Sequence, residues 1–362
     1  MLEVEIEARE DAPWWFGYAA PVVTVLAALT VGGGALLALG VDPIAAYTTM
    51  FVGTLTTSFG LTETLVKAVP LVLTGLAVYL PLRAGLWNIG AEGQLYVGAV
   101  VGTYLGLELA APMVVRIPVM LLGAAAGAAL WGAIPGYLRA RYDVNEIIVT
   151  LMFTFIGVRL ASYLVHGPMR GGQGNFPVSA TLPDAAQLPA LVGSAHVGVL
   201  LALGCVAAIA LLVRRTRFGY EVTFVGSNAD AAEQAGISTF HVYVLVLALG
   251  GALAGLAGAV EIAGVQGRLR PEFSPGYGFT AIPIALLGRN GASRVALAAV
   301  FFALLFVGGS SMELAFGVPS AIVDIIQALV ILFLITAEFF KSHRVRIEFD
   351  RSPAATTAAE EA

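Results

Sequence analysis

Leu86-Trp-Asn-Ile-Gly-Ala-Glu-Gly-Gln94 decides how this chain is read, because it sets three polar side chains, Asn88, Glu92 and Gln94, among glycines between two apolar runs. The runs, near 66–83 and 93–111, have the length needed to cross a bilayer core, about 20 residues. Glycine permits close backbone approach and a break in a helix. A carboxylate at membrane depth costs about 3 kcal/mol or more unless it faces protein or water, so Glu92 is a functional candidate. The alternative is a turn at the membrane face, with Glu92 stabilised by the dipole of the helix it begins.

Working outward, the same apolar character fills the chain. Of 362 residues 58% are hydrophobic and 12% charged, with a mean hydropathy of +0.87, against roughly a quarter charged in a soluble domain. We expect one polytopic all-α membrane domain, with spans near 18–40, 66–83, 93–111, 117–138, 146–165, 196–213, 241–263, 279–288, 293–313 and 319–340. The eighth is too short to cross as a straight helix and is expected to be re-entrant or to continue into irregular backbone inside the bundle.

Lys and Arg accumulate on the cytoplasmic side of membrane proteins. With the N-terminus inside, inner segments carry thirteen (Arg9, Arg83, Arg139, Arg141, Arg214, Arg215, Arg217, Arg289, Arg294, Lys341, Arg344, Arg346, Arg351) and outer connections four (Arg116, Arg170, Arg268, Arg270). That asymmetry favours ten spans with both termini inside. Residues 1–17 form an acidic cytoplasmic leader, 18–341 the permeating domain, and 342–362 a disordered cytoplasmic tail. The connections 41–65 and 166–195 are expected on the outer surface.

Several chemistries are excluded. Net charge of −5 with two lysines does not suit nucleic-acid binding. No P-loop is present, since Lys67 and Lys341 lie in apolar helices, so no ATP site of that kind belongs to the chain. The histidines His166, His196, His241 and His343 are scattered and Cys205 stands alone, so neither a metal site nor an intramolecular disulfide is expected. No catalytic residue, cofactor or metal is assigned.

Other polar features lie in apolar surroundings. Arg268-Leu-Arg-Pro-Glu-Phe-Ser-Pro-Gly-Tyr-Gly-Phe279 is a second interrupted segment, and paired interruptions point to solute sites in transporters built from repeats. Asn145 and Glu146 open the fifth span, where Asn caps and Glu suits the first turn. Glu261, Asp324 and Gln327 are buried polar candidates inside spans. In the inner loop 214–240, Asn228 can cap a short helix over 229–235 that Gly236 terminates, offering a docking surface.

These motifs resemble those of permease subunits of ATP-binding-cassette importers in the branched-chain amino acid, ribose and nucleoside group. Pro70-Leu-Val-Leu-Thr-Gly-Leu-Ala77 running into Ala84-Gly-Leu-Trp-Asn-Ile-Gly-Ala-Glu-Gly-Gln94 matches, as do Asn145-Glu-Ile-Ile-Val-Thr-Leu-Met152, Gly226-Ser-Asn-Ala-Asp-Ala-Ala-Glu-Gln-Ala-Gly-Ile237 and Ser274-Pro-Gly-Tyr-Gly-Phe-Thr280, in order. The resemblance implies a type II-like importer fold in the plasma membrane and a second permease copy or paralogue. It also implies cytoplasmic ATPase subunits that bind the ATP and an extracytoplasmic substrate-binding protein. Asn228, Ala231, Ala232 and Gly236 would then couple to the ATPase. Asn88, Glu92, Gln94, Asn145, Glu146 and Glu261 are candidates for the path or its gate. The wording of the Asn88–Gln94 motif is most similar to the larger permease of nucleoside importers. A nucleoside or purine base is therefore the first expected solute, a simple sugar the second and a branched-chain amino acid the third. Two rivals make different demands. An ion-coupled carrier needs no docking loop, and a structural scaffold needs no broken polar spans.

Overall fold

A computed structural model describes residues 2–8, 16–171 and 176–349, with side chains described over 22–171 and 176–337. The chain divides into two units, 41–323 and the pair 1–40 with 324–362.

In the second of these, an N-terminal strand β1 (Leu2–Ala8) precedes helix α1 (Phe16–Ala38). Expected above to belong to a disordered tail, residues 343–349 instead pair antiparallel with β1 as the last strand of the chain, in a register that sets Glu5 opposite Arg346 and Glu7 opposite Arg344. Both segments alternate apolar and charged residues, the period of a strand. Residues 350–362 lie outside the described residues.

The larger unit opens with α2 (Pro43–Tyr47), a π-helical stretch Thr48–Gly53 and α3 (Thr54–Thr56). This segment was expected on the outer surface. It is helical, and buries Ala46 and Met50. Its Met50 packs onto Gly308, where an added Cβ would come within 2.2 Å of the Met50 carbonyl.

Helices α4 (Ser58–Arg83), α5 (Ala91–Glu108), α6 (Met113–Tyr142), α7 (Glu146–His166) and α8 (Gly198–Arg215) follow the expected spans. A small hairpin, β2 (Ala190–Val192) and β3 (Ala195–His196), lies in the connection before α8. Then come α9 (Arg217–Ser227), α10 (Ala229–Gln234), α11 (Thr239–Glu261), α12 (Tyr277–Leu287), α13 (Ala292–Phe316), α14 (Ser320–Ser342) and β4 (His343–Phe349). Among the described residues seven helices are long and apolar enough to cross a membrane. At 18 residues α5 is about 27 Å long, and α12, at 11 residues, is about 16 Å, too short to cross as expected.

α11 packs against α4, α5 and α6. Small residues make this possible: a Cβ on Gly98 of α5 would meet Gly255 Cα of α11 at 2.2 Å, so the two backbones touch. Without a hydrophobic driving force inside lipid, such close backbone approach is what holds membrane helices together.

Candidate functional site

The chain between α4 and α5 turns back into the bundle. Gly85 takes φ +78°, which an L side chain rarely adopts, and Leu86 N–H donates to the Pro81 carbonyl. Asn88 Nδ2 then donates to the Ala77 carbonyl at 3.0 Å, six residues and about 9 Å back from the Arg83 end of α4. Asn88 and Gln94 bond reciprocally, at 3.0 and 3.1 Å, and both are almost fully buried. Their polar groups serve each other and the α4 backbone, pinning the break.

The second interruption arrives at the same place. After α11 the chain makes a π-helical turn, Ile262–Gln266, and passes through Gly267 (φ +66°) to α12. Ser274 Oγ accepts from the backbone N–H of Gly276 and Tyr277 at 3.2 Å, capping the start of α12. Glu92 Oε2 accepts from Gly278 N–H at 2.5 Å and also bonds the Ser274 side chain. A Cβ on Gly278 would meet Glu92 N at 2.2 Å, so glycine is required for the contact. The two readings of Glu92 therefore converge. It does sit at helix N-termini, those of α5 and α12, whose dipoles favour its charge. Yet it is buried at a level the Tyr277 contacts mark: Thr74 Oγ1 and Lys67 Nζ of α4 bond Tyr277 at 3.4 and 3.1 Å, near the middle of that helix.

Glu261 ends α11 beside this joint. Its Oε1 accepts from Gln266 Nε2 at 3.0 Å, while its buried Oε2 has no hydrogen-bond partner among the described residues. Lys67 supplies the strongest attractive charge on it. Lys67 is a site residue the sequence reading passed over, although a lysine within an apolar span is itself a signal. Asp324 is exposed and Gln327 mostly buried in α14.

Asn145 and Glu146 lie away from this cluster in role. Asn145 Oδ1 caps α7 by accepting from Ile147 N–H at 2.9 Å. Glu146 pairs with Arg139 at 3.4 Å and accepts from Trp87 N–H at 3.5 Å, tying α6 and α7 to the first break.

The loop 214–240 holds one helix that the sequence reading did not expect, α9. It is amphipathic, capped by Thr216 and buried along Gly219, Val222 and Val225. Gly226 at its end lies against the Arg83 carbonyl, and Arg83 Nη2 donates to Thr223 Oγ1 at 3.0 Å. α10 follows the expected short helix, with Asn228 Oδ1 accepting from Ala231 N–H at 2.9 Å. Gly236 (φ +81°) ends it, as Ile237 N–H donates to the Ala232 carbonyl. Asn228 and Gly236 are exposed and Ala231 half-buried, whereas Ala232 is fully buried and faces the protein, not a partner. A groove of about 730 Å³ runs beside α10, lined by Tyr137, Arg141, Glu233, Gly236 and Phe240.

Two broken segments thus meet inside a bundle of helices long and apolar enough to cross a membrane, where irregular backbone is tolerated only when buried in protein or lining a water-filled cavity. The chain belongs to the branched-chain amino acid transport system permease component family, whose model matches residues 60–335. It is similar to the glucose ABC transporter permease protein TsgB13 of Haloferax volcanii, 59% identical over 97% of this chain and 95% of that one. The nucleoside ABC transporter permease proteins NupB and NupC of Lactococcus lactis are 29% and 26% identical, over 87% and 66% of this chain and 89% and 78% of theirs. The chain is thus a multi-pass membrane permease subunit of an ABC importer, a type that works with ATPase and substrate-binding partners.

Proposed function

We propose that this permease carries a neutral hexose such as glucose from an extracytoplasmic binding protein to the cytoplasm. The observation that carries the reading is the 59% identity to a glucose permease across nearly the whole of both chains. It reverses the order expected from motif wording, in which a nucleoside came first. Nucleoside remains the second reading, supported by the similarity to NupB and NupC. Two nucleoside permeases in one organism, both similar to this chain, also support a paralogue over an identical copy as its membrane partner.

Glu261, Lys67, Gln266 and Tyr277 offer a carboxylate, an ammonium, an amide and a phenol close to one another, the mix of donors and acceptors that sugar hydroxyls need. Glu92, clamped between α5 and α12, serves as the gate. ATP binding closes the separate ATPase subunits on α10 and the neighbouring groove, and α9 passes the movement to the Arg83 end of α4. The thirteen-to-four charge asymmetry supports α10 on the cytoplasmic side.

The test is competition for radiolabelled glucose uptake by the reconstituted complex. Labelled glucose should be taken up and guanosine should not compete with it, whereas uptake of labelled guanosine with none of labelled glucose would install the nucleoside reading. Glu261→Gln and Lys67→Met should cut uptake more than tenfold without loss of assembly. Normal uptake by both would remove this cluster from the path.

A further inference from the structure

His196 ends strand β3 and lies in a slot made by two glycines. A Cβ on Gly198, at the start of α8, would come within 2.6 Å of the ring's Cε1 and Nδ1, and one on Gly264, inside the π-helical turn, within 2.5 Å of Nε2. The ring therefore rests on bare backbone at both places and is buried. The connection before α8 is tied to the same turn by its own backbone: Leu188 N–H donates to the Ala263 carbonyl at 2.9 Å and Leu182 N–H to the Gly267 carbonyl at 2.8 Å. Gln266, the last residue of that turn, is the donor to Glu261. By the charge asymmetry the slot is on the outer side, at the end of α8 away from Arg214 and Arg215.

The slot suits one protonation state. Nδ1 accepts from Gly198 N–H at 3.1 Å, so the neutral ring carries its proton on Nε2, which is buried without a partner among the described residues. A second proton would have to go on Nδ1, turning an acceptor into a donor that faces another donor. The charged ring would then hold two buried N–H groups without acceptors, a costly arrangement. The hairpin and the π-helical turn carry no other ionisable side chain. On the helices packed around them, α4 has Glu63 and Lys67 toward this end with Tyr79 and Arg83 toward the other, and α8 has Cys205, Arg214 and Arg215. α11 has Glu261 next to the turn, with His241 and Tyr243 at its far end. None of these acts on the ring, whose pKa burial alone lowers.

We propose that His196 is an acid-sensitive latch: protonation from the outer side drives the ring out from between Gly198 and Gly264, frees the connection before α8 from the π-helical turn, and slows uptake. Neutral, the ring fills the slot and buttresses the turn. Charged, it leaves for water, and the turn that sets Gln266 on Glu261 loses its support. The effect on uptake rests on the reading that Glu261 lies on the solute path; the latch itself does not. With only the released ring taking a proton, at an ordinary pKa of about 6.5, the opening equilibrium grows as 1 + 10^(6.5 − pH), a rise of about 25-fold from pH 7 to 5.

The test is hydrogen exchange of the complex in nanodiscs at pH 7 and 5, read on peptides covering 186–198 and 262–267 and corrected for the intrinsic pH dependence of exchange. In the wild type these amides should exchange more than about tenfold faster at pH 5. His196→Asn, which keeps an acceptor for Gly198 N–H and does not titrate, should change by less than about twofold. Gly264→Ala, whose Cβ takes the place of the ring, should already exchange at pH 7 as the wild type does at pH 5. Labelled glucose uptake by proteoliposomes held at pH 7 inside should fall more than about threefold as the exterior goes from pH 7 to 5, and His196→Asn with the same binding protein should resist the fall. Equal wild-type exchange at the two pH values, or a rise that His196→Asn keeps, overturns the latch. Exchange that responds while uptake stays level overturns its control of uptake. Absence of glucose uptake already at pH 7 would fall on the solute reading instead, with the latch still decided by exchange.

Discussion

Gly278→Ala tests the joint between the two broken segments with a single methyl group. The added Cβ would lie 2.2 Å from Glu92 N, 2.4 Å from Glu92 Cα and 2.7 Å from Ala91 C, all backbone or backbone-anchored atoms that cannot swing aside. Restoring an ordinary contact of 3.4 Å requires α5 and α12 to part by about 1.2 Å. Overpacking of this kind costs about 1–3 kcal/mol. The same displacement stretches the Gly278 N–H to Glu92 bond from 2.5 Å beyond hydrogen-bonding range. A buried acceptor losing its donor costs about 1–3 kcal/mol more. The sum, about 2–6 kcal/mol, falls on the element that gates the path, so both stability and uptake should drop. Purified complex carrying Gly278→Ala should melt well below wild type and take up solute at a small fraction of its rate. Gly204→Ala is the control, because a Cβ there meets nothing within 4 Å and alanine favours the helix. Wild-type melting and uptake in Gly278→Ala would refute the α5–α12 contact as described.

Three further outcomes are expected. Gly236→Val forces a β-branched residue into φ +81° at an open position, costing about 1–2 kcal/mol locally; solute-stimulated ATP hydrolysis should vanish while membrane insertion persists, and intact stimulation would remove α10 from coupling. Glu92→Gln keeps an acceptor for Gly278 N–H but brings an amide donor to a place already filled with donors, so uptake should fall more than tenfold; normal uptake would leave Glu92 a cap alone. His196, outside the spans, accepts from Gly198 N–H at 3.1 Å, and burial holds its pKa below the ordinary value of about 6.5. The unfolded chain therefore binds the extra proton first, and stability should decline as pH falls below about 6.5; in His196→Asn melting curves from pH 7 to 5 should show a shallower decline, and an unchanged slope would count against it.

The spans were legible because apolar length is a direct physical requirement of the bilayer: 146–165 and Glu146–His166, or 117–138 and Met113–Tyr142, differ by a few residues at most. The short helix after Asn228 was legible from its cap and its terminating glycine. What joined Glu92 to Gly278 was not, since 186 residues separate them and only the pairing of two interruptions hinted at it. Lys67 escaped because its partners Tyr277 and Glu261 lie on other helices. α9 escaped because eleven residues with one arginine at the start give too short a periodic signal. The helical 43–56 segment reads as weakly amphipathic alone, and it is Gly308, far along the chain, that gives Met50 a place to pack.

The most direct measurement is uptake of labelled glucose into proteoliposomes containing this chain with its co-purified permease partner and ATPase, supplied with the binding protein. Uptake that requires both ATP and the ATPase, and is absent from the chain alone under any ion gradient, is the predicted result. Gradient-driven uptake by this chain without an ATPase would contradict the account.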